Sequence, residues 1–303
     1  MAIYTQLTPT DLAQISTTFG IGAIEQVLPF AQGQENSNFR LITATESYVL
    51  TICENKSVEE TQLLIDTLEH LAKHDFFTTK IIRTVAGHAQ ASLGGKPLLL
   101  KSYLSGEVKD PLPLMEMEPL GQALARLHQV PAPDFLPSQL NYGRQTFGPL
   151  RANFGKDHPF LDWLATMEDY LATYLTDDLP RALIHADVFA DNVILTKDRG
   201  PVIMDFEEAA HYYRLFDLGM TIVGTCFPGG KSNLLAEQAL VRGYEAVSPL
   251  LPVERQALNA FIVYAATAMA SWRFWQFNVV QPGAGKQEHY QGLKVVAEAV
   301  LAR

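Results

Sequence analysis

Three oxygen-bearing side chains stand close together in the stretch LIHADVFADNVILTKDRGPVIMD, residues 183–205: Asp187, Asn192 five residues on, and Asp205 thirteen beyond that. An unligated carboxylate can accept or orient the proton of an attacking hydroxyl. An amide oxygen and a second carboxylate can hold Mg²⁺, which prefers a few hard oxygens and draws the rest of its shell from water and phosphates. That is the set phosphoryl transfer requires. The flanks predict strands over 182–184, 192–196 and 202–204, the last two joined by the turn-like Lys197-Asp198-Arg199-Gly200. Such a hairpin would bring Asn192 and Asp205 to one end of a small sheet, beside the loop that carries Asp187.

The elements that must position these residues are readable from hydrophobic period and punctuation. Thr8 or Thr10 can cap a first helix. After Gly22 come β-like runs over 23–30, 38–43 and 47–53, with the polar loop Ala31-Gln32-Gly33-Gln34-Glu35-Asn36-Ser37 between the first two. A strand, a small loop and a returning strand is how kinase-like folds cover nucleotide phosphates, and it is equally the pattern of an ordinary hairpin. A helix is predicted over 57–74, with Ser57 as cap and Glu59 and Glu60 in the first turn. Leu64, Leu68 and Leu71 form its apolar stripe, and Glu60, four residues before Leu64, shares that face. An acid there either meets a cationic partner or offsets the helix dipole.

Strands over 80–85 and 96–103 precede the break at Ser105-Gly106. The boundary between two lobes is placed here, giving domains 1–102 and 103–303, with backbone from Lys101 to Tyr103 open to an adenine ring. Helices are predicted over 118–129, 160–175, from Phe216 onward, and over 234–244 and 252–277. His128 reads as structural, and Asp217 either caps its helix or braces the loop of Asp187.

Composition narrows the class. The 303 residues are 48% hydrophobic and 18% charged, which describes an ordinary globular protein. The formal charge of −10 would repel nucleic-acid phosphates. Cys53 and Cys226 lie in apolar runs and suggest neither a disulfide nor a zinc site. No basic start followed by an apolar block opens the chain, and its longest uncharged span suits a buried helix better than a membrane crossing. The expectation is a cytoplasmic protein with neither nucleic acid nor membrane as partner.

IHADVFADNVIL followed by VIMDFEEA resembles the catalytic and metal loops of the aminoglycoside phosphotransferase and choline kinase superfamily. GQENSNFRL, YVLTICE and ALARLH add a resemblance to the homoserine kinases built on that fold. The resemblance implies an α+β, bilobal protein-kinase-like fold, with a small β-rich amino-terminal lobe and a larger, mostly helical carboxy-terminal lobe. It implies ATP and Mg²⁺ as cofactors, Asp187 as the catalytic aspartate that accepts or orients the acceptor hydroxyl's proton, and Asn192 and Asp205 as metal ligands. The segment containing Gly33, Glu35, Asn36, Ser37 and Asn38 would cover the ATP phosphates, Glu60 would be the helix glutamate of the fold, and Lys101 and Tyr103 would lie at the adenine. His185 would support the loop without doing chemistry.

Two departures stand out. Thr51 occupies the position of the usual strand lysine, as it often does in homoserine kinases of this type. Glu207-Glu208-Ala209 replaces the aromatic-rich segment expected after the metal aspartate. The resemblance implies an acceptor that is a small molecule bearing a hydroxyl. An aminoglycoside would call for an acidic pocket, yet residues 207–303 carry 8 acids against 8 Lys or Arg. Choline would call for an aromatic cage, to which Trp272, Phe274 and Trp275 could contribute. Homoserine, a zwitterion, would need a cation for its carboxylate, with Arg214 and Arg273 as candidates. A catalytically silent nucleotide-binding protein is the reading that Thr51 motivates.

Overall fold

The computed structural model describes residues 5–30, 36–155, 157–176 and 178–303. The chain divides into two compact units, Met1–Ser105 and Gly106–Arg303. Among the described residues no helix is long and apolar enough to cross a membrane.

The first unit opens with α1 (Pro9–Phe19), whose amino end is closed by a reciprocal capping box between Thr8 and Asp11. Strands β1 (Ile24–Pro29), β2 (Asn36–Thr43) and β3 (Ser47–Cys53) precede α2 (Val58–Lys73), and β4 (Ala91–Leu93) and β5 (Lys96–Ser102) follow it. The antiparallel sheet runs β1-β2-β3-β5-β4. Alternation puts Phe39, Leu41, Leu50, Ile52, Leu98 and Leu100 on one face, where they bury against Ile15 and Phe19 of α1. The opposite face carries Asn36, Asn38, Thr51, Leu99 and Lys101, since Asn38 pairs with Thr51, Thr51 with Leu99 and Val49 with Lys101. The strand expected over 80–85 is reduced to a single bridge between Ile81 and Lys101. The segment still adds backbone bonds from Ile82 N–H to Leu100 and from Ser102 N–H to Lys80, without sustaining a ladder.

In the second unit β6 (Glu107–Val108) leads to α3 (Met117–Leu127), α4 (Phe147–Asn153) and α5 (Pro159–Ala172). Next come β7 (Arg181–Ile184), β8 (Val193–Thr196), β9 (Gly200–Ile203) and β10 (Ala210–Tyr213). The chain closes with α6 (Arg214–Thr225), α7 (Leu234–Val247), α8 (Pro252–Trp275), a π-helical turn at Gln276–Val280, and α9 (Gln291–Leu301). Strands β6, β8 and β9 form one small sheet, and β7 pairs with β10. Helix α6 is the scaffold of the site. Its residues Leu215 to Val223 are all buried, and two glycines let backbone approach it from opposite sides. A Cβ on Gly219 would strike the Phe261 carbonyl of α8, and one on Gly224 would strike Val188 and Phe189, next to Asp187.

Candidate active site

Asp187 lies on the loop between β7 and β8, and the loop is held from four sides. Asp217, fully buried in the first turn of α6, accepts His185 N–H on Oδ2 and Ala186 N–H on Oδ1, both at 2.7 Å. The same Oδ2 accepts the His128 Nε2–H at 3.0 Å, and the Tyr244 hydroxyl closes the chain on His128 Nδ1 at 2.7 Å. Tyr142 donates its hydroxyl to the Ala186 carbonyl. Ala186 sits at φ +70°, a left-handed conformation that a residue with a Cβ adopts only where its surroundings enforce it. The Asp217 clamp and Tyr142 supply that enforcement. Asp217 therefore braces the loop, one of the two roles its sequence position allowed.

His185 ties the loop to the far hairpin. Its Nδ1 accepts Asp187 N–H at 3.1 Å, so the proton resides on Nε2, which donates to the Met204 carbonyl at 2.8 Å. Burial holds the imidazole below its ordinary pKa despite the nearby Asp217 and Asp205 charges, and the ring is packed edge-on against Phe206 at 4.7 Å. A neutral, fully hydrogen-bonded histidine supports and does not react.

Asn192 ends the turn before β8, and its carbonyl accepts Met204 N–H at 3.0 Å, which puts Asp205 one residue beyond that bond. The Asn192 amide Nδ2 donates to the Asp187 carbonyl at 2.8 Å and to Asp187 Oδ2 at 3.2 Å. This orientation turns Oδ1 away, and among the described residues Oδ1 accepts no hydrogen bond. Asp205 is exposed at φ +68°, a second left-handed non-glycine in the same site.

The electrostatics of Asp187 depart from expectation. Phosphoryl transfer with late proton loss calls for no raised pKa, yet the carboxyl is pushed well above its ordinary value. Burial is the first cause, followed by the charges of Glu208, Asp205 and Asp191, with the Asn192 hydrogen bond opposing them. Four acids converge here. A dication held by Asp205 and Asn192 Oδ1 would relieve that repulsion, so the donor set fits Mg²⁺. Among the described residues no three His, Cys, Asp or Glu form a self-sufficient metal cage. A cation here would have to take other ligands from phosphate and water, as Mg²⁺ does.

The residues expected around the nucleotide fare unevenly. Gly33 and Glu35 lie outside the described residues. Asn38 accepts the Thr51 hydroxyl at 2.7 Å on the polar face of the sheet, with Asn36 two residues away on that face. Ser37 points to the other face and donates to Glu54 at 2.5 Å, while Lys96 binds Glu54 as well. Its hydroxyl is thereby committed to structure, because alternation along a strand separates it from both asparagines. Glu60 is also corrected. It is exposed, and its carboxylate turns back to accept Ser57 N–H at 2.7 Å, forming a capping box. The i,i+4 relation to Leu64 is real, but the first turn projects past the core, and the unsatisfied N–H there claims the acid. The Tyr103 ring is covered by the Arg40 guanidinium at 4.0 Å. Tyr103 N–H reaches Ser47 O at a long 3.4 Å, while Lys101 pairs with Val49.

Of the acceptor candidates, Arg214 is already occupied. It donates to both oxygens of buried Glu254, at 2.7 and 2.5 Å, and to Ser248 at 2.8 Å. The three aromatic residues do not form a cage: Phe274 is fully buried and stacked on Phe160 at 4.5 Å, whereas Trp275 is 43% exposed. Tyr142 and His128 gained no site role from sequence, because their contacts to the loop and its brace span 44 and 89 residues.

Residues 26–250 match the model of the phosphotransferase enzyme family. The chain belongs to that family. It is similar to a homoserine kinase of Methylocella silvestris, 32% identical over 295 residues that cover 94% of this chain and 91% of the relative. Its fold is that of a choline/ethanolamine kinase family protein from Mesorhizobium loti, with a TM-score of 0.73, 17% identity and coverage of 97% and 94% of the two chains. An amicoumacin kinase in complex with AMP-PNP and Ca²⁺ superposes equally well, with a TM-score of 0.73 at 14% identity over 96% and 93% of the chains. The protein-kinase-like α+β fold and phosphotransferase class expected from the sequence are therefore those of this protein.

Proposed function

We propose that this phosphotransferase moves the γ-phosphoryl group of ATP to the hydroxyl of homoserine. The observation that carries the reading is the geometry of Asp187, Asn192 and Asp205. The amide nitrogen of Asn192 steadies Asp187, and the same side chain leaves its oxygen, beside Asp205, for a cation. Near-complete similarity in length to a homoserine kinase supports the choice of acceptor.

Asp187 orients the acceptor hydroxyl and takes its proton as the oxygen bonds to phosphorus and the bridging oxygen of ADP departs. Asn192 and Asp205 would hold Mg²⁺, which when bound would neutralise charge on the phosphates. Asn36 and Asn38, on the polar face of β2, are the described residues that we assign to the nucleotide. The braces from Asp217, His185 and Tyr142 keep Asp187 from moving, which matters because positioning provides most of the catalysis in this chemistry. Thr51, hydrogen-bonded to Asn38, brings no charge, so neutralisation of the phosphates rests on the metal.

The test is product detection by mass spectrometry after incubating the purified protein with ATP, Mg²⁺ and a panel of amino acids, amino alcohols and aminoglycosides. O-phosphohomoserine is the expected product. Turnover of another acceptor with homoserine untouched would overturn the acceptor. ATP binding without turnover of any acceptor would mark a silent nucleotide-binding protein.

A further inference from the structure

Thr51 stands where a strand lysine would supply charge, and its side chain has a different task. It lies within β3, 1% exposed, cross-strand from Asn38 of β2 and from Leu99 of β5. Leu99 offers the hydroxyl no polar side chain, and the backbone groups of paired strands are taken up by the ladder. The hydroxyl donates to Asn38 Oδ1 at 2.7 Å, and among the described residues it has no other partner. A carboxamide has nearly the same shape either way round, so its orientation is set by what bonds to it. Turned over, Asn38 would offer Nδ2 to Thr51 and leave a buried O–H without an acceptor, an unfavourable arrangement. The hydrogen bond thereby fixes the amide. Oδ1 is engaged by Thr51, and among the described residues the two N–H donors of Nδ2 have no acceptor. The strand itself is held from behind at the preceding residue. Ser37, on the other face of the sheet, donates to Glu54 at 2.5 Å and accepts Thr5 N–H at 3.1 Å, while Lys96 also binds Glu54.

We propose that Thr51 is a positioning residue for the nucleotide: it orients the Asn38 carboxamide so that Nδ2–H, and not Oδ1, meets a phosphate oxygen. The inference deepens the proposed function and rests on its assignment of Asn38 to the nucleotide. An N–H donor facing an anionic oxygen makes a stronger hydrogen bond than a neutral pair does. The reversed amide would set its own oxygen against that of the phosphate. A lysine in this position would act by charge, whereas the threonine acts by choosing which end of a neutral neighbour is presented. Thr51 is on this account part of a working kinase and no mark of a silent one.

Thr51→Val removes the hydroxyl and keeps the β-branched shape. It should raise KM for ATP about 10-fold, while the inhibition constant of adenosine, which has no phosphate, stays within about twofold. Thr51→Ser, which keeps the hydroxyl, should hold KM for ATP within about threefold of wild type. Asn38→Ala should raise that KM at least as far as Thr51→Val does. Adding Thr51→Val to Asn38→Ala should do nothing more, because Thr51 acts through Asn38. A threonine that merely supports the sheet would weaken adenosine along with ATP and add its loss to that of Asn38→Ala. Either result, or an unchanged KM in Thr51→Val, would overturn the inference. An unchanged KM in Asn38→Ala would remove the assignment on which the inference rests and leave transfer to homoserine standing. Calorimetry with Mg·ATP reads the same contact without turnover. Weaker binding to Thr51→Val, in a protein that phosphorylates no homoserine, would support the inference and refute the proposed reaction alone.

Discussion

Replacing Asp217 tests whether the loop of Asp187 is held by the buried carboxylate of α6. Asp217→Ala removes the acceptor of two backbone N–H groups and of His128, three buried donors left without partners. At about 1–3 kcal/mol per orphaned donor, the loss is about 3–9 kcal/mol. That is a large share of a total stability of about 5–15 kcal/mol. Asp217→Asn keeps the shape and one acceptor oxygen, and presents an NH₂ to the other donors, so a loss of about 2 kcal/mol is expected.

The loop should also shift, since Ala186 at φ +70° would lose its principal restraint. A displacement near 1 Å at Asp187 lowers kcat about 100-fold, with KM for ATP little altered. Urea unfolding followed by tryptophan fluorescence reports on the second unit alone, because Trp163, Trp272 and Trp275 all lie there. Burial raises the Asp217 carboxyl, but the His128 hydrogen bond and the His128 and His185 interactions outweigh it and hold the group below its ordinary value. A depressed folded pKa contributes stability that is complete above the unfolded value, roughly 4, and is lost as pH falls through the folded value. The gap between wild type and Asp217→Asn should therefore be constant from pH 7 to about 5 and narrow only below roughly pH 4. An Asn variant with an unchanged urea midpoint and unchanged kcat would refute the reasoning.

Two further outcomes follow from the same geometry. Asp205→Ala should abolish the Mg²⁺ dependence of nucleotide binding, and calorimetry showing an unaltered Mg²⁺ requirement would count against the metal assignment. Glu60→Ala should cost about 0.5–1 kcal/mol of stability through loss of the α2 capping box and leave KM for ATP unchanged. A tenfold rise in that KM would restore the nucleotide role that the structure withdraws.

The site was legible where its residues are local. The strand-turn-strand pattern of residues 183–205 fixes the relation of Asn192 to Asp205, because β8 and β9 pair through a four-step ladder from Val193 with Ile203 to Thr196 with Gly200. Pattern failed where a residue had competing partners. Glu60 obeys helical spacing but answers to Ser57, and Ser37 sits within a phosphate-like segment yet faces Glu54. Arg214 was a candidate for the acceptor's carboxylate by residue type alone, and the buried Glu254 that occupies it is 40 residues away in sequence. The raised carboxyl of Asp187 was hidden as well, since it results first from burial and then from the charges of Glu208, Asp205 and Asp191, all set only by folding.

The account depends most on Asp187 being the group that meets the acceptor and on it not being required to hold the nucleotide. Asp187→Asn, assayed for Mg·ATP affinity by calorimetry and for phosphorylated product by mass spectrometry, tests both at once. Affinity within a few-fold of wild type, with transfer reduced by about 10³-fold or more, is the predicted result. Transfer at the wild-type rate would contradict it.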